Sequence, residues 1–168
     1  MTSYLYTAPA GVPGDISRTD ESNVEPAFLI TPFPANYGVP MKYATGGITP
    51  IASGDTASLF AGVLARAVPG ISQNSANEAV NTFDPNQSEV QGLCTRGYMT
   101  VNCNAGTPVR GNQVYMVVTA SSGHVVGQFE TTSNGGNNVA LTGTVVGNVT
   151  WASDGLDANG NAEIRIAQ

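Results

Sequence analysis

Few side chains in this sequence could do chemistry, and each stands where a simpler role is available. The one histidine, His124, follows Ser121-Ser122-Gly123. A Ser-His-carboxylate relay needs an anchored nucleophile, and no Gly-x-Ser-x-Gly elbow occurs, so His124 reads as a surface-loop residue at the start of a strand. The run Asp154-Gly155-Leu156-Asp157-Ala158-Asn159-Gly160-Asn161-Ala162-Glu163 places oxygen donors around a glycine, as calcium loops do. Its spacing departs from the EF-hand, and Asp-Gly and Asn-Gly are tight-turn dipeptides, so a hairpin turn is expected. Asp154 and Asp157, a carboxylate pair considered for acid–base work, share that explanation. Cys94 and Cys103 fit neither a CxxC pair nor, with one histidine, a zinc site. They are expected to be small buried hydrophobes, with a disulfide across a turn as the alternative. Gly46-Gly47 and Gly135-Gly136 lack the following lysine and helix of a phosphate cradle and read as turns. The glycosylation patterns Asn86-Gln87-Ser88 and Asn148-Val149-Thr150 are short enough to arise by chance. The sequence therefore predicts no catalytic residue, no metal site and no cofactor.

The elements that must carry these residues are β-strands. The chain has 168 residues, of which 11% are charged, with 20 Gly, 10 Pro and a net charge of −6. Low charge with frequent turn formers suits one all-β domain with many short connections, and the hydrophobic content is high enough to offset chain entropy. Six Lys and Arg scattered singly cannot form a phosphate-tracking stripe, so nucleic acid is not an expected partner. No run approaches the ~20 apolar residues of a membrane span. Met1-Thr2-Ser3-Tyr4-Leu5-Tyr6 lacks a basic n-region and an apolar h-region, so the expectation is a soluble protein made in a cytoplasm.

Residues 1–36 differ from the rest. Pro9, Pro13, Pro26, Pro32 and Pro34 recur there among Asp15, Asp20, Glu21 and Glu25, which predicts an extended N-terminal arm poor in regular structure. The arm nonetheless carries Tyr4, Leu5, Tyr6, Phe28, Leu29, Ile30 and Phe33, with Tyr37 just beyond, and these are the candidate contact residues. Either the arm packs along its own domain or it docks on another chain. Residues 37–168 form the predicted β-domain, with a long polar surface loop at 71–89 as a second candidate contact element.

Within that domain, Val39 to Ala44 and Leu59 to Val68 are the first predicted strands. The second also fits helical spacing, but Gly62 and the bounding Pro69-Gly70 favour a strand. Met99, Val101 and Cys103 alternate with polar residues, as do Val114, Met116 and Val118 with their neighbours. Val125 to Phe129 follows a Ser-Ser-Gly turn. Val139, Leu141, Val145, Val149 and Trp151 all fall on odd positions and predict one long strand curving at Gly143 and Gly147. Ile164 and Ile166 predict a closing strand with one buried face.

As an ordered set these segments resemble the structural cement, or head decoration, proteins of tailed bacteriophages. The resemblance rests on Gly38-Val39-Pro40, Pro50-Ile51-Ala52-Ser53-Gly54-Asp55-Thr56-Ala57 and Phe60-Ala61-Gly62-Val63-Leu64-Ala65-Arg66. Its second half is Arg96-Gly97-Tyr98-Met99-Thr100-Val101, Gly106-Thr107-Pro108-Val109-Arg110-Gly111, Val114-Tyr115 and Gly123 with Val126-Gly127-Gln128-Phe129, closing with Trp151-Ala152-Ser153-Asp154 and Ala162-Glu163-Ile164-Arg165-Ile166. It implies a β-sandwich or jelly-roll-like domain without catalytic residues. Such a domain would bind as a homo-trimer or homo-dimer over joints between major capsid protein subunits, on the outer capsid surface. The long proline-rich arm and the 71–89 loop depart from the pattern, so oligomer number and symmetry axis stay open. The competing readings are a receptor- or glycan-binding β-module of a tail or fibre, and a trimeric β-barrel nucleotide hydrolase. The hydrolase would need clustered carboxylates for magnesium, a pattern the sequence lacks.

Overall fold

The computed structural model describes residues 11–66, 85 and 89–167. Its strands in chain order are β1 (Ile16–Phe28), β2 (Pro40–Ala44), β3 (Gly47–Pro50), β4 (Gly62–Ala65), β5 (Val90–Ala105), β6 (Tyr115–Val117), β7 (Phe129–Glu130), β8 (Asn138–Ala140), β9 (Asn148–Trp151) and β10 (Asn161–Ala167). A single 3-10 turn, Ala57–Leu59, precedes β4. The alternation read at Met99, Val101 and Cys103 belongs to β5, around which everything else is arranged. β5 pairs antiparallel with β1, β4 and β10, and its far end pairs parallel with β7. From β4 the sheet continues through β2 to β3, from β7 through β6 to β8, and β9 lies on β10.

This single path encloses two apolar clusters, giving an all-β fold of the sandwich kind. The larger cluster includes Phe60, Met99, Met116, Phe129, Trp151 and Ile164. The smaller holds Leu29, Met41, Ile48, Ala61, Leu64 and Leu93. β4 and β5 serve both by strand alternation: Val63 and Cys94 point to the larger, Leu64 and Leu93 to the smaller. Gly62 makes the β4–β5 approach possible. At its φ of +151° an added Cβ would lie 2.4 Å from the Cys94 carbonyl oxygen, closer than any side chain tolerates.

Several expectations are corrected here. Residues 1–36 are not one irregular arm, because Ile16–Phe28 pairs with β5 through Val24↔Cys94, Pro26↔Gly92 and Phe28↔Val90. The backbone ladder to β5, not an apolar periodicity, makes this strand, and Pro26 is tolerated because β1 is at an edge. Edge status also explains the mostly exposed side chains of β1 and its register shift, in which residues 19–22 bulge out between Arg18 and Asn23. The boundary at 36/37 is crossed too, since Leu29 bridges Ile48 and is fully buried. The strand expected from Leu59 to Val68 shortens to Gly62–Ala65, with 67 and 68 outside the described residues.

Further along, only Phe129 of the expected Val125–Phe129 strand lies in a strand, β7, because Gly127 turns the chain at φ +87°. The long strand expected from Val139 to Trp151 is two strands, β8 and β9, joined by a tight turn closed by reciprocal hydrogen bonds of Thr144 and Gly147. Val145 sits at the tip of that turn, 60% exposed, while Leu141, Val149 and Trp151 are buried as the alternation requires. β10 buries Ile164 and Ile166 and turns Glu163 and Arg165 outward.

Candidate functional site

The eight candidate contact residues separate by position. Tyr4, Leu5 and Tyr6 lie outside the described residues, as does the 71–89 loop apart from Pro85 and Glu89. Phe28 ends β1 with 44% of its surface exposed, and its cross-strand partner Val90 is 64% exposed. Val24, two pairs along the same face, is exposed as well. Together they make a short outward apolar strip, and Val90 and Val24 add to a surface that sequence reasoning had assigned to Phe28. The missing signal was register: nothing in the sequence places residue 90 opposite residue 28. Leu29, the next residue, is 0% exposed and serves the chain's own interior. Its neighbour Ile30 is half-buried and donates its N–H to the Ile48 carbonyl at 3.0 Å. Phe33 and Tyr37 are half-buried against the smaller cluster, and the Tyr37 hydroxyl donates to Gln91 Oε1 at 3.5 Å.

The outer edge of β1 carries charge. Glu25 accepts a hydrogen bond from the Tyr43 hydroxyl at 3.2 Å, and burial together with this carboxylate pushes the Tyr43 phenol above its ordinary range. Ser17 and Arg18 reach across to Glu163 on β10, at 2.5 and 2.9 Å. The hydrogen bond to Glu163 holds the Arg18 guanidinium still more firmly in its charged form. These contacts fasten β1 to the sheet at one end, while Leu29 anchors it at the other.

The residues singled out for chemistry are occupied structurally. His124 is not a free loop residue. Its Nδ1 meets Glu130 Oε1, and Glu130, almost fully buried, also accepts from Asn138 Nδ2 at 2.7 Å and Asn104 Nδ2 at 3.2 Å. The imidazole thus closes a polar rivet between the Ser121–His124 turn, β7 and β8. In the 154–163 turn, Asp157 Oδ1 accepts from the backbone amides of Asn159 and Asn161, both at 2.8 Å, and Asp154 Oδ1 from that of Arg110 at 2.8 Å. Such carboxylates shape the hairpin. Cys94 and Cys103 are buried free thiols on the same strand, so nine residue steps separate them by about 30 Å and exclude a bridge within the chain. Burial pushes both thiols up to about 11.

One cleft of about 320 Å³ opens between residues 12–13, 36–39, 127–129 and 159–161. Its polar lining is mainly amide, with Asn36, Asn102, Gln128, Asn159 and Asn161, alongside Arg66 and Tyr37. Amides donate and accept hydrogen bonds without titrating, so the described lining suits a polar ligand.

Comparison with known proteins bears on this geometry. No curated protein matches the chain. A chain of the solved structure "The capsid of Myoviridae Phage XM1" shares the fold, with a TM-score of 0.69, 18% sequence identity, and coverage of 99% of this chain and 96% of that one. A family model described as XM1 gp53 minor capsid protein matches residues 1–166. With nearly its whole length matched, this all-β chain belongs to the XM1 gp53 minor capsid protein family, a family of structural proteins of the bacteriophage virion.

Proposed function

We propose that the chain is a non-enzymatic cement protein that binds the outer surface of the phage head at joints between major capsid protein subunits. It does so as a homo-oligomer, dimer or trimer. The observation that carries this reading is the outward apolar strip of Phe28, Val90 and Val24 on a rigid strand of a minor capsid protein. Among the described residues that strip stands exposed. A protein that binds the assembled lattice and not its dissociated subunits shifts the equilibrium towards the intact shell. Several weak contacts per oligomer then add through effective concentration. Tyr4, Leu5 and Tyr6 extend the proposed contact set beyond Phe28, with Ile30, Phe33 and Tyr37 as its half-buried flank. Leu29 leaves the set because its side chain is spent in the core.

The test is cosedimentation of the purified chain with shells lacking it, beside the unassembled coat protein. Saturable binding to shells alone supports the cement reading. Binding to neither sinks it and favours the second reading, a receptor- or glycan-binding module, for which the amide-lined cleft is the candidate site. Removal of residues 1–10, which takes away Tyr4, Leu5 and Tyr6, should weaken shell binding. Removal of 1–36 should unfold the domain, since it takes away β1 and Leu29.

A further inference from the structure

Three of the chain's six basic residues, Arg18, Arg96 and Arg165, stand exposed around one outward-facing tyrosine. Tyr98 on β5 has Arg18 of β1 as its cross-strand neighbour on one side and Arg165 of β10 on the other. The two guanidinium carbons lie 4.0 and 5.7 Å from the ring centroid. Arg96 is two residues before Tyr98 on the same strand, and a small cleft between Arg96 and Arg165 is lined also by Glu21, Gly97 and Ile166. Arg18 is neutralised by Glu163 at 2.9 Å, whereas Arg96 and Arg165 form no ion pair with any described residue.

We propose that the Arg96–Tyr98–Arg165 row is a docking face for a carboxylate-bearing segment of the coat shell. This deepens the cement reading and rests on it. A planar guanidinium matches a carboxylate through two parallel N–H···O bonds, and a ring beneath Arg165 holds one fork in place before the partner arrives. Arg and Tyr are also the residue types that carry most binding energy at protein interfaces. The apolar strip at Phe28 and Val90 lies on β1 and β5 and the charged row on β5 and β10, so β5 contributes to both surfaces. A second copy of the chain is a poorer occupant, because it brings the same net charge of −6 and is repelled at long range. Nucleic acid is poorer still, since three arginines on so acidic a chain cannot track a phosphate backbone.

The experiment measures shell binding of the full-length chain by cosedimentation at low and moderate salt, for the wild type, R96Q, R165Q and the double variant. R110Q removes one positive charge from the turn before β6 and serves as the charge control. Thermal melts check that each variant folds. The double variant should bind about tenfold more weakly at low salt and lose much of its salt dependence, while R110Q stays within about twofold of the wild type. Wild-type affinity in the double variant overturns the inference, and so does a loss per charge equal to that of R110Q. If sedimentation velocity shows the double variant losing self-association with shell affinity intact, the row binds a second copy and the inference fails. Binding of duplex DNA that the double variant loses overturns it equally. A wild-type chain that binds no shell overturns the cement reading itself, a result separable from all of these.

Discussion

Phe28 and Leu29 are adjacent, yet the fold assigns them opposite duties, and two alanine variants should separate those duties. Leu29 is 0% exposed among Met41, Ile48, Leu64 and Leu93, so Leu29→Ala removes three buried carbons and leaves a cavity the sheet cannot fully collapse. The expected loss is about 2–5 kcal/mol, or roughly 5–15 °C in Tm for a domain of this size. Phe28 is 44% exposed, so just over half of its apolar surface is withdrawn from water. Phe28→Ala should then cost about 1 kcal/mol in stability. Its larger effect should be on shell binding, because the exposed half is what a partner would cover. Urea denaturation at constant m gives the stabilities, and cosedimentation of the folded variants gives the binding. A Phe28→Ala loss of stability equal to that of Leu29→Ala would refute the inward–outward division. So would a stably folded Leu29→Ala chain with selectively impaired shell binding.

Gly62→Ala should destabilise the domain by at least about 2 kcal/mol in the same denaturation assay, because its Cβ would press on the Cys94 carbonyl oxygen at a positive φ. Glu130→Ala should cost about 2–4 kcal/mol, since it strips the Asn138 and Asn104 amides and the His124 ring of their shared acceptor. Both thiols should resist alkylation at pH 8 in the folded chain and react once it unfolds, as read by mass spectrometry. Burial raises their folded values from the ordinary 9.0 to about 11, so the unfolded chain releases these protons first. The associated stability is therefore present below pH 9 and lost as pH rises towards 11, and the Cys94→Ala/Cys103→Ala variant should show a shallower decline in that window.

The parts legible in the sequence were those where burial on one face wrote a period of two. Met99, Val101 and Cys103 on β5 and Ile164 and Ile166 on β10 announced both strand and core face. β1 was illegible for the converse reason. Ser17 to Pro26 is mostly polar because an edge strand buries little, and its existence depends on hydrogen bonds to β5, whose partners lie from 62 (Phe28↔Val90) to 83 (Ile16↔Met99) residues along the chain. Val145 shared the parity of Leu141 and Val149 but marks a turn, since Gly143 and Gly147 both adopt positive φ and fold the chain back between β8 and β9. His124 sits in the expected turn, but its bond to Glu130 was illegible, because Glu130 becomes an interior residue only when β7 is laid beside β5. Aromatic and apolar content alone nominated the candidate contact residues among the first 37. It could not distinguish Phe28 from Leu29, a choice made by strand orientation alone.

β5 pairs with segments drawn from residues 16–28, 62–65, 129–130 and 161–167, so its neighbours come from nearly the whole length of the chain. Contacts of such sequence separation form slowly, because long loops must close before any of them is rewarded. During synthesis the edge of β5 that β10 will cover waits for more than fifty further residues, roughly 3–11 s at ordinary elongation rates. A ribosome stalled within that interval holds a strand rich in buried-type side chains with one rim uncapped. Incomplete chains should therefore be the form of this protein most prone to aggregate, and the arrival of β10 the step that ends that exposure.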